Sequence, residues 1–167
     1  MDTSVLVPVW SRLVLQRLAA AERFQPVWSE WIIAETWRVL TRRWVSQHGP
    51  DDEALARAAN RMLRRLLAVM RLVSIRDFVG PAPWPELNDT DDEPIWATAV
   101  VAGAQYVVSH NVEDFPPLAE GRHVHGDTEY LTAIEFVEDV LGEDAGTMYG
   151  APLPSSALVR SRRVARS

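Results

Sequence analysis

Cysteine is absent from this 167-residue chain, and with it go disulfide bonds, thiolate catalysis and every sulfur-ligated zinc or iron site. Any metal must be held by oxygen or by histidine. Lysine is absent as well: all 17 basic residues are arginine, a compositional bias that carries no functional weight. No apolar run approaches the ~20 residues that cross a bilayer, and Asp2 stands where a secretory leader would place basic residues. The chain therefore reads as cytosolic, with no membrane partner. What is present, 47% hydrophobic and 24% charged residues, is the material of one globular domain with a proper core.

The net charge of -6 is unevenly spread. Residues 1–79 carry 12 arginines against 8 acids, 80–154 carry one arginine against 15 acids, and 155–167 carry 4 arginines and no acid. A solvated acidic surface accounts for such a run. So does a cation site on the acidic half, with arginines elsewhere meeting a polyanion such as nucleic acid. Composition alone does not choose between them.

Along the chain, Val5-Leu6-Val7-Pro8-Val9-Trp10 opens as an apolar, β-rich segment that Pro8 stops or bends. Ser11 to Arg23 has a helical apolar side, and a short extended piece surrounds Pro26. Ser29 is placed to cap a helix through about Trp44, with Ile32, Ile33, Trp37 and Leu40 at helical spacing. His48-Gly49-Pro50 breaks the chain. Asp51, Asp52 and Glu53 then open a long helix whose buried stripe is expected at Leu55, Ala58, Met62, Leu66, Val69 and Val73. Pro81, Pro83 and Pro85 predict a loop from Gly80 to Asp92. The next helix starts near Asp92, has Pro94 in its first turn and stops at Gly103. Ala104 to Ser109 predicts a strand buried on both faces, followed by a loop from His110 to Phe115. A last strand near Tyr130-Leu131 feeds a helix with a capping box, Thr132-x-x-Glu135, extending to Leu141 and ending at Gly142. This order predicts an α/β fold, a three-layer α/β/α sandwich with a central, mainly parallel sheet, whose sites form at the carboxyl ends of strands. The domain is expected over residues 1–142, with 143–167 as a flexible, arginine-rich tail.

Three acids stand where such a sheet gathers its site: Asp2 at the first strand, Asp92 at a helix start, and Asp114 just beyond a central strand. Carboxylates collected at one edge repel each other unless a cation neutralises them or some take up protons. Hard oxygen ligands without cysteine or paired histidine select Mg²⁺ or Mn²⁺ over zinc. Such ions lower the pKa of bound water and clamp phosphate oxygens, which makes phosphodiester hydrolysis the natural chemistry.

Asp2-Thr3-Ser4-Val5-Leu6 resembles the Asp-Thr-(Asn/Ser)-hydrophobic start of PIN domains, and Asp92-Glu93-Pro94-Ile95-Trp96-Ala97-Thr98-Ala99 resembles their Asp-x-x-Ile-x-Ala-x-Ala helix. Val107-Val108-Ser109-His110-Asn111-Val112-Glu113-Asp114-Phe115 looks like the segment that follows it. Ile32 to Leu40, with Glu35, is similar to the helix bearing the second family acid. Each segment alone is weak, and the four in order are fairly specific. The likeness extends to the VapC-like toxins of bacterial toxin–antitoxin pairs, whose family activity is Mg²⁺- or Mn²⁺-dependent endonucleolytic cleavage of RNA. It implies Asp2, Glu35 and Asp92 as metal-binding carboxylates and Asp114 as ligand of a second ion or of a metal-bound water. Thr3 or Ser4 would orient a carboxylate, with Ser109 in support, and Asn111 stands where many members have a further Asp. An amide oxygen can coordinate but brings no charge, so a second-metal site is weakened. The resemblance also implies homodimerisation and a cognate antitoxin whose arginine reaches the acids. The family has several strand residues before its first Asp, and only Met1 precedes Asp2; either the start was placed late or the first strand is frayed.

Each residue also has a structural account. Asp2 is a terminal acid, Glu35 a surface helix residue, Asp92 a helix start favoured by the dipole and Asp114 a turn cap. Asp89, Asp91 and Glu93 read as solvated. His123-x-His125 reads better as a hairpin than as a metal site, and Ser109 lacks the partners of a catalytic triad. Trp28, Trp31, Trp37 and Trp44 are dense enough to suggest a dimer face or partner groove besides core. Rival functions are a catalytically silent PIN-like domain used for RNA binding or assembly, a DNA nuclease, and a haloacid-dehalogenase-type phosphohydrolase, which Ser4 disfavours because that class needs Asp-x-Asp.

Overall fold

A computed structural model describes residues 1–50, 52–76, 92–158 and 160–161. The expected proline-rich loop with Asp89 and Asp91 lies outside the described residues, as do positions 162–167 of the expected tail.

The chain opens with helix α1 (Thr3–Leu6) and α2 (Val9–Ala20), with Pro8 at the cap position between them. This corrects the expected β-rich opening. Val5, Leu6, Trp10, Val14, Leu15 and Leu18 are buried together, a spacing that suits helices and overrides the β preference of valine. The Ser11 hydroxyl locks the two helices by donating to the Val5 carbonyl at 2.7 Å.

Strand β1 (Val27–Ser29) leads into α3 (Glu30–His48), and Ser29 caps it as expected, its Oγ accepting the Ile32 N–H. Helix α4 (Asp52–Leu67) stops earlier than the apolar stripe implied. Val69 lies beyond its end and Val73 belongs to strand β2 (Arg71–Val73), which pairs in parallel with β1 through Val27↔Arg71, Trp28↔Leu72 and Ser29↔Val73. Pairing with a ready edge prevails here over helical periodicity.

Helix α5 (Glu93–Ala102) ends on Gly103, whose φ of 61° is left-handed. Strand β3 (Tyr106–Val108), a 3-10 turn (Val112–Asp114), β4 (Leu118–Ala119), β5 (Arg122–His125) and β6 (Thr128–Leu131) follow. They form a second sheet in the order β3-β6-β5-β4, parallel only between β3 and β6. The fold is α/β, as expected, but its strands fall into two sheets, β1-β2 and β3-β6-β5-β4.

The capping box forms as the sequence predicts at the start of α6 (Ala133–Glu135), which widens into a π turn (Phe136–Val140). Glu135 is fully buried and its Oε2 accepts from the Thr132 N–H (2.8 Å) and hydroxyl (2.9 Å) and the Ser161 hydroxyl (2.8 Å). Thr132→Ala removes a cap and one of these donors and is expected to cost about 1–2 kcal/mol. Thermal denaturation should show Tm lower by about 2–8 °C at this chain length.

Among its described residues, the segment expected as a flexible tail packs on the core at several points. It forms α7 (Ala145–Tyr149) and a 3-10 turn (Ser155–Leu158), and it buries Ala145 and Ala157 in the main core. Arg160 pairs with Glu138 and Asp139. The glycines and prolines of this stretch shape turns around Met148, Tyr149 and Leu153, which pack against the core. Among the described residues no helix is long and apolar enough to cross a membrane.

Candidate active site

Asp2 is bonded like a strand residue although Thr3 already begins a helix. Its backbone N–H donates to the Val108 carbonyl at 3.0 Å, which ties it to the carboxyl end of β3. The side chain is buried, and its Oδ2 accepts hydroxyl hydrogen bonds from Ser4 (2.5 Å) and Ser109 (2.8 Å). Each hydroxyl in turn accepts a backbone N–H, Ser4 that of His110 (2.8 Å) and Ser109 that of Asn111 (3.0 Å). Both hydroxyl protons are thereby committed to Asp2, which is oriented by four groups of the loop after β3 and the turn of α1. Among the described residues no hydrogen bond reaches Asp2 Oδ1. Ser4, not Thr3, orients this carboxylate. Thr3 instead meets the buried Thr36 hydroxyl at 3.2 Å and fixes α3 beside the turn.

Asp114 closes the 3-10 turn, where the Asn111 amide donates to its Oδ2. Asp92 occupies the cap position of α5, yet its side chain makes no capping hydrogen bond, so helix capping does not explain it. Tyr130 brings these elements together. It is buried at the end of β6, stacked on Trp96 at 4.6 Å and met edge-on by Phe115 at 5.1 Å. Burial first, then the negative charges of Asp92, Asp2 and Asp114, push its phenol far above the ordinary range. One hydroxyl thus feels all three aspartates, which come from three separate segments of the chain.

Glu35 stands elsewhere in its contacts. Its carboxylate is gripped at both oxygens by Arg38, at 2.7 and 2.6 Å, one turn on along α3. His110 lies beside the site with its ring 5.5 Å from Trp10; burial holds its imidazole below the usual value, with Asp2 opposing. His123 and His125 sit on β5, inside a hairpin. The His123 ring nitrogens meet the carbonyls of Pro116 and Ser161, and the His125 ring meets Trp96 edge-on.

Hard oxygen donors such as these aspartates suit a hard divalent cation, and Asp2 Oδ1 offers a ligand atom. Among the described residues, no group of three or more acid or histidine side chains is drawn together as a finished cluster. The donor chemistry fits an ion; the side chains are spread around Tyr130.

A family model described as PIN domain matches residues 1–113, more than half of the chain. The chain belongs to the PIN domain family. PIN domains are typically nucleases and generally use divalent metal ions. The matched span of this PIN domain holds Asp2, Glu35, Asp92 and Asn111 and stops one residue short of Asp114. Comparisons with curated proteins and with solved structures give no match.

Sequence reasoning did not single out Tyr130, whose buried phenol lies within electrostatic reach of all three aspartates. Its signal was the apolar company of Trp96 and Phe115, both flanking proposed acids. Because its folded pKa lies above the unfolded value of 10.0, the native state holds a proton that the unfolded chain loses. The contribution is complete below pH 10 and declines as pH rises above it. Stability should therefore fall from about pH 10 upward, and Tyr130→Phe should flatten that part of a Tm-against-pH curve relative to wild type.

Proposed function

We propose that this PIN domain is a Mg²⁺- or Mn²⁺-dependent endoribonuclease and the toxin of a toxin–antitoxin pair. The observation that carries the reading is the setting of Asp2, held at the end of β3 by Ser4 and Ser109, beside the loop that carries Asp114 and, with Asp92, within electrostatic reach of Tyr130. Asp2 and Asp92 would hold the ion, with Asp114 acting on it directly or through water and Asn111 contributing its amide oxygen. Glu35 would join after exchanging Arg38 for the ion. Ser4 and Ser109 keep the Asp2 carboxylate turned, Thr3 keeps α3 close, and Tyr130 stays a neutral phenol near the acids. The bound ion would supply an activated water and neutralise the RNA phosphate as the bond breaks. One tightly held ion suits a site in which Asn111 replaces a charge.

The grip of Arg38 on Glu35 is the kind of contact an antitoxin arginine would make with these acids. Of the dense tryptophans, Trp28 is wholly buried, Trp31 and Trp37 are half-buried and Trp44 is 38% exposed, and we place Trp44 at a homodimer or antitoxin face. We read the protein as cytoplasmic, where its RNA substrate is found. Purified protein should cut structured RNAs with Mn²⁺ and stop on adding a chelator; cleavage that persists without divalent ions contradicts the reading. The second reading, an RNA-binding PIN-like domain without catalysis, is favoured by Asn111 and by the absence of a finished three-ligand cluster among the described residues. RNA binding with no cleavage at any Mn²⁺ concentration would establish it instead.

A further inference from the structure

Helices α2, α3 and α4 line an open groove of about 380 Å³. Val9 and Leu13 from α2, Leu40 and Trp44 from α3, and Leu55 and Met62 from α4 make its apolar lining. Each pair stands four or seven residues apart, so each helix turns one side to the groove. The charged lining is of one sign: Arg12, Arg43, Arg61 and Arg65, with neither aspartate nor glutamate among the described residues. Elsewhere in the chain Arg23, Arg38, Arg57, Arg122 and Arg160 each grip an acid. The four arginines of the groove make no ion pair among the described residues. Arg12 is half-buried and commits one nitrogen, Nη1, to the Leu6 (3.0 Å) and Val7 (2.9 Å) carbonyls. Its guanidinium is held below the ordinary value, by burial first and then by the charge of Arg43. Two cations that repel across a partly dry groove are relieved by an anion between them, and a planar guanidinium fork matches a phosphate.

We propose, taking RNA as the substrate, that this groove holds the single strand on one side of the cut, with its phosphates on Arg12, Arg43, Arg61 and Arg65 and one unpaired base against Trp44 and the apolar lining. The groove continues the candidate active site along two elements. Arg12 rests on the carboxyl end of α1, five residues and about 8 Å from Asp2 at the other end. Arg43 follows Glu35 by eight residues, about 12 Å along α3. A strand whose phosphate lies at the aspartates therefore reaches these arginines within a few nucleotides, and this continuity favours RNA over an acidic peptide. Contact of a base with Trp44 is tolerant of sequence, because every base has a π-face. A partner seated on Trp44 would cover the same arginines and keep RNA out.

Binding of a fluorescent single-stranded oligoribonucleotide by the full chain, followed by anisotropy over a salt series with divalent ions chelated, tests this apart from cleavage. Arg43→Gln with Arg65→Gln should reduce the slope of log affinity against log salt by about 1.4, two phosphate contacts at about 0.7 each. Trp44→Ala should weaken binding at least about fivefold with the slope unchanged, and Trp44→Phe should recover most of the loss. Arg64→Gln, which removes an exposed arginine of α4 outside the groove, should keep the wild-type slope. With Mn²⁺ present, the groove variants should still cleave at saturating RNA, so that KM and not kcat carries the loss. Groove variants with wild-type affinity and slope, in a protein that cleaves RNA, overturn the proposal and leave the nuclease reading standing. Unchanged RNA affinity with loss of an acidic protein partner gives the groove to a protein and equally overturns it. A wild-type protein that neither binds nor cleaves RNA overturns both readings.

Discussion

Asp2→Asn is expected to lower RNA cleavage by roughly two to three orders of magnitude, the loss typical of removing one preorganised charge from a reaction centre, while Tm holds or rises. The asparagine keeps the volume and an oxygen that accepts from Ser4 and Ser109, so the loop after β3 has no reason to move. What disappears is one of the three negative charges that act on Tyr130. Those charges repel one another when no cation is bound, and removing one relieves the fold. Activity and stability therefore change in opposite directions, the signature of a charge kept for function. Asp92→Asn should behave alike, since its carboxylate does no capping. If cleavage falls only in step with Tm, Asp2 is a structural acid and its role here is wrong. Initial rates on a labelled RNA, with melting curves on the same samples, separate the two.

Trp96→Ala should be the most damaging single change to the scaffold. The indole is 2% exposed, stacks on Tyr130 and receives the His125 ring edge-on. Its loss leaves a cavity in the smaller apolar cluster of Ile95, Ala99, Val107, Phe115 and Tyr130, at a cost of about 3–5 kcal/mol. Tm should drop by roughly 6–20 °C. Trp96 also holds α5, which carries Asp92, against the sheet that carries Tyr130. Cleavage should thus fall even well below the melting point, and Trp96→Phe should recover much of both losses. A Tm within 2 °C of wild type would contradict this account of the cluster.

Much of this was legible in the chain because the signals were local. Ser29 as helix cap, Gly103 as helix stop and the Thr132/Glu135 capping box each rest on a few neighbouring residues and their hydrogen bonds. The errors came where distant partners decided. Val5 and Val7 are β-formers in a stretch that packs as a helix turn against α2, and Val73 left its expected helix to pair with Ser29. The stretch after Gly142, rich in turn residues, still buries Ala145 and Ala157. At the proposed site, Asp2, Asp92 and Asp114 were singled out from their places at element ends. Tyr130 could not be, because its burial against Trp96 and Phe115 depends on segments distant in sequence. Glu35 shows the opposite limit: a helix position fixes where the backbone is, while Arg38 decides where the carboxylate turns.

The central claim is that these aspartates form a divalent-cation site. Titrating Mn²⁺ into the wild-type protein and into Asp92→Asn, with free Mn²⁺ followed by electron paramagnetic resonance, tests it most directly. One Mn²⁺ should bind per wild-type chain, with affinity reduced about tenfold or more when one of its ligand charges is removed. Equal binding by the two proteins, or none by the wild type with RNA present, would contradict it.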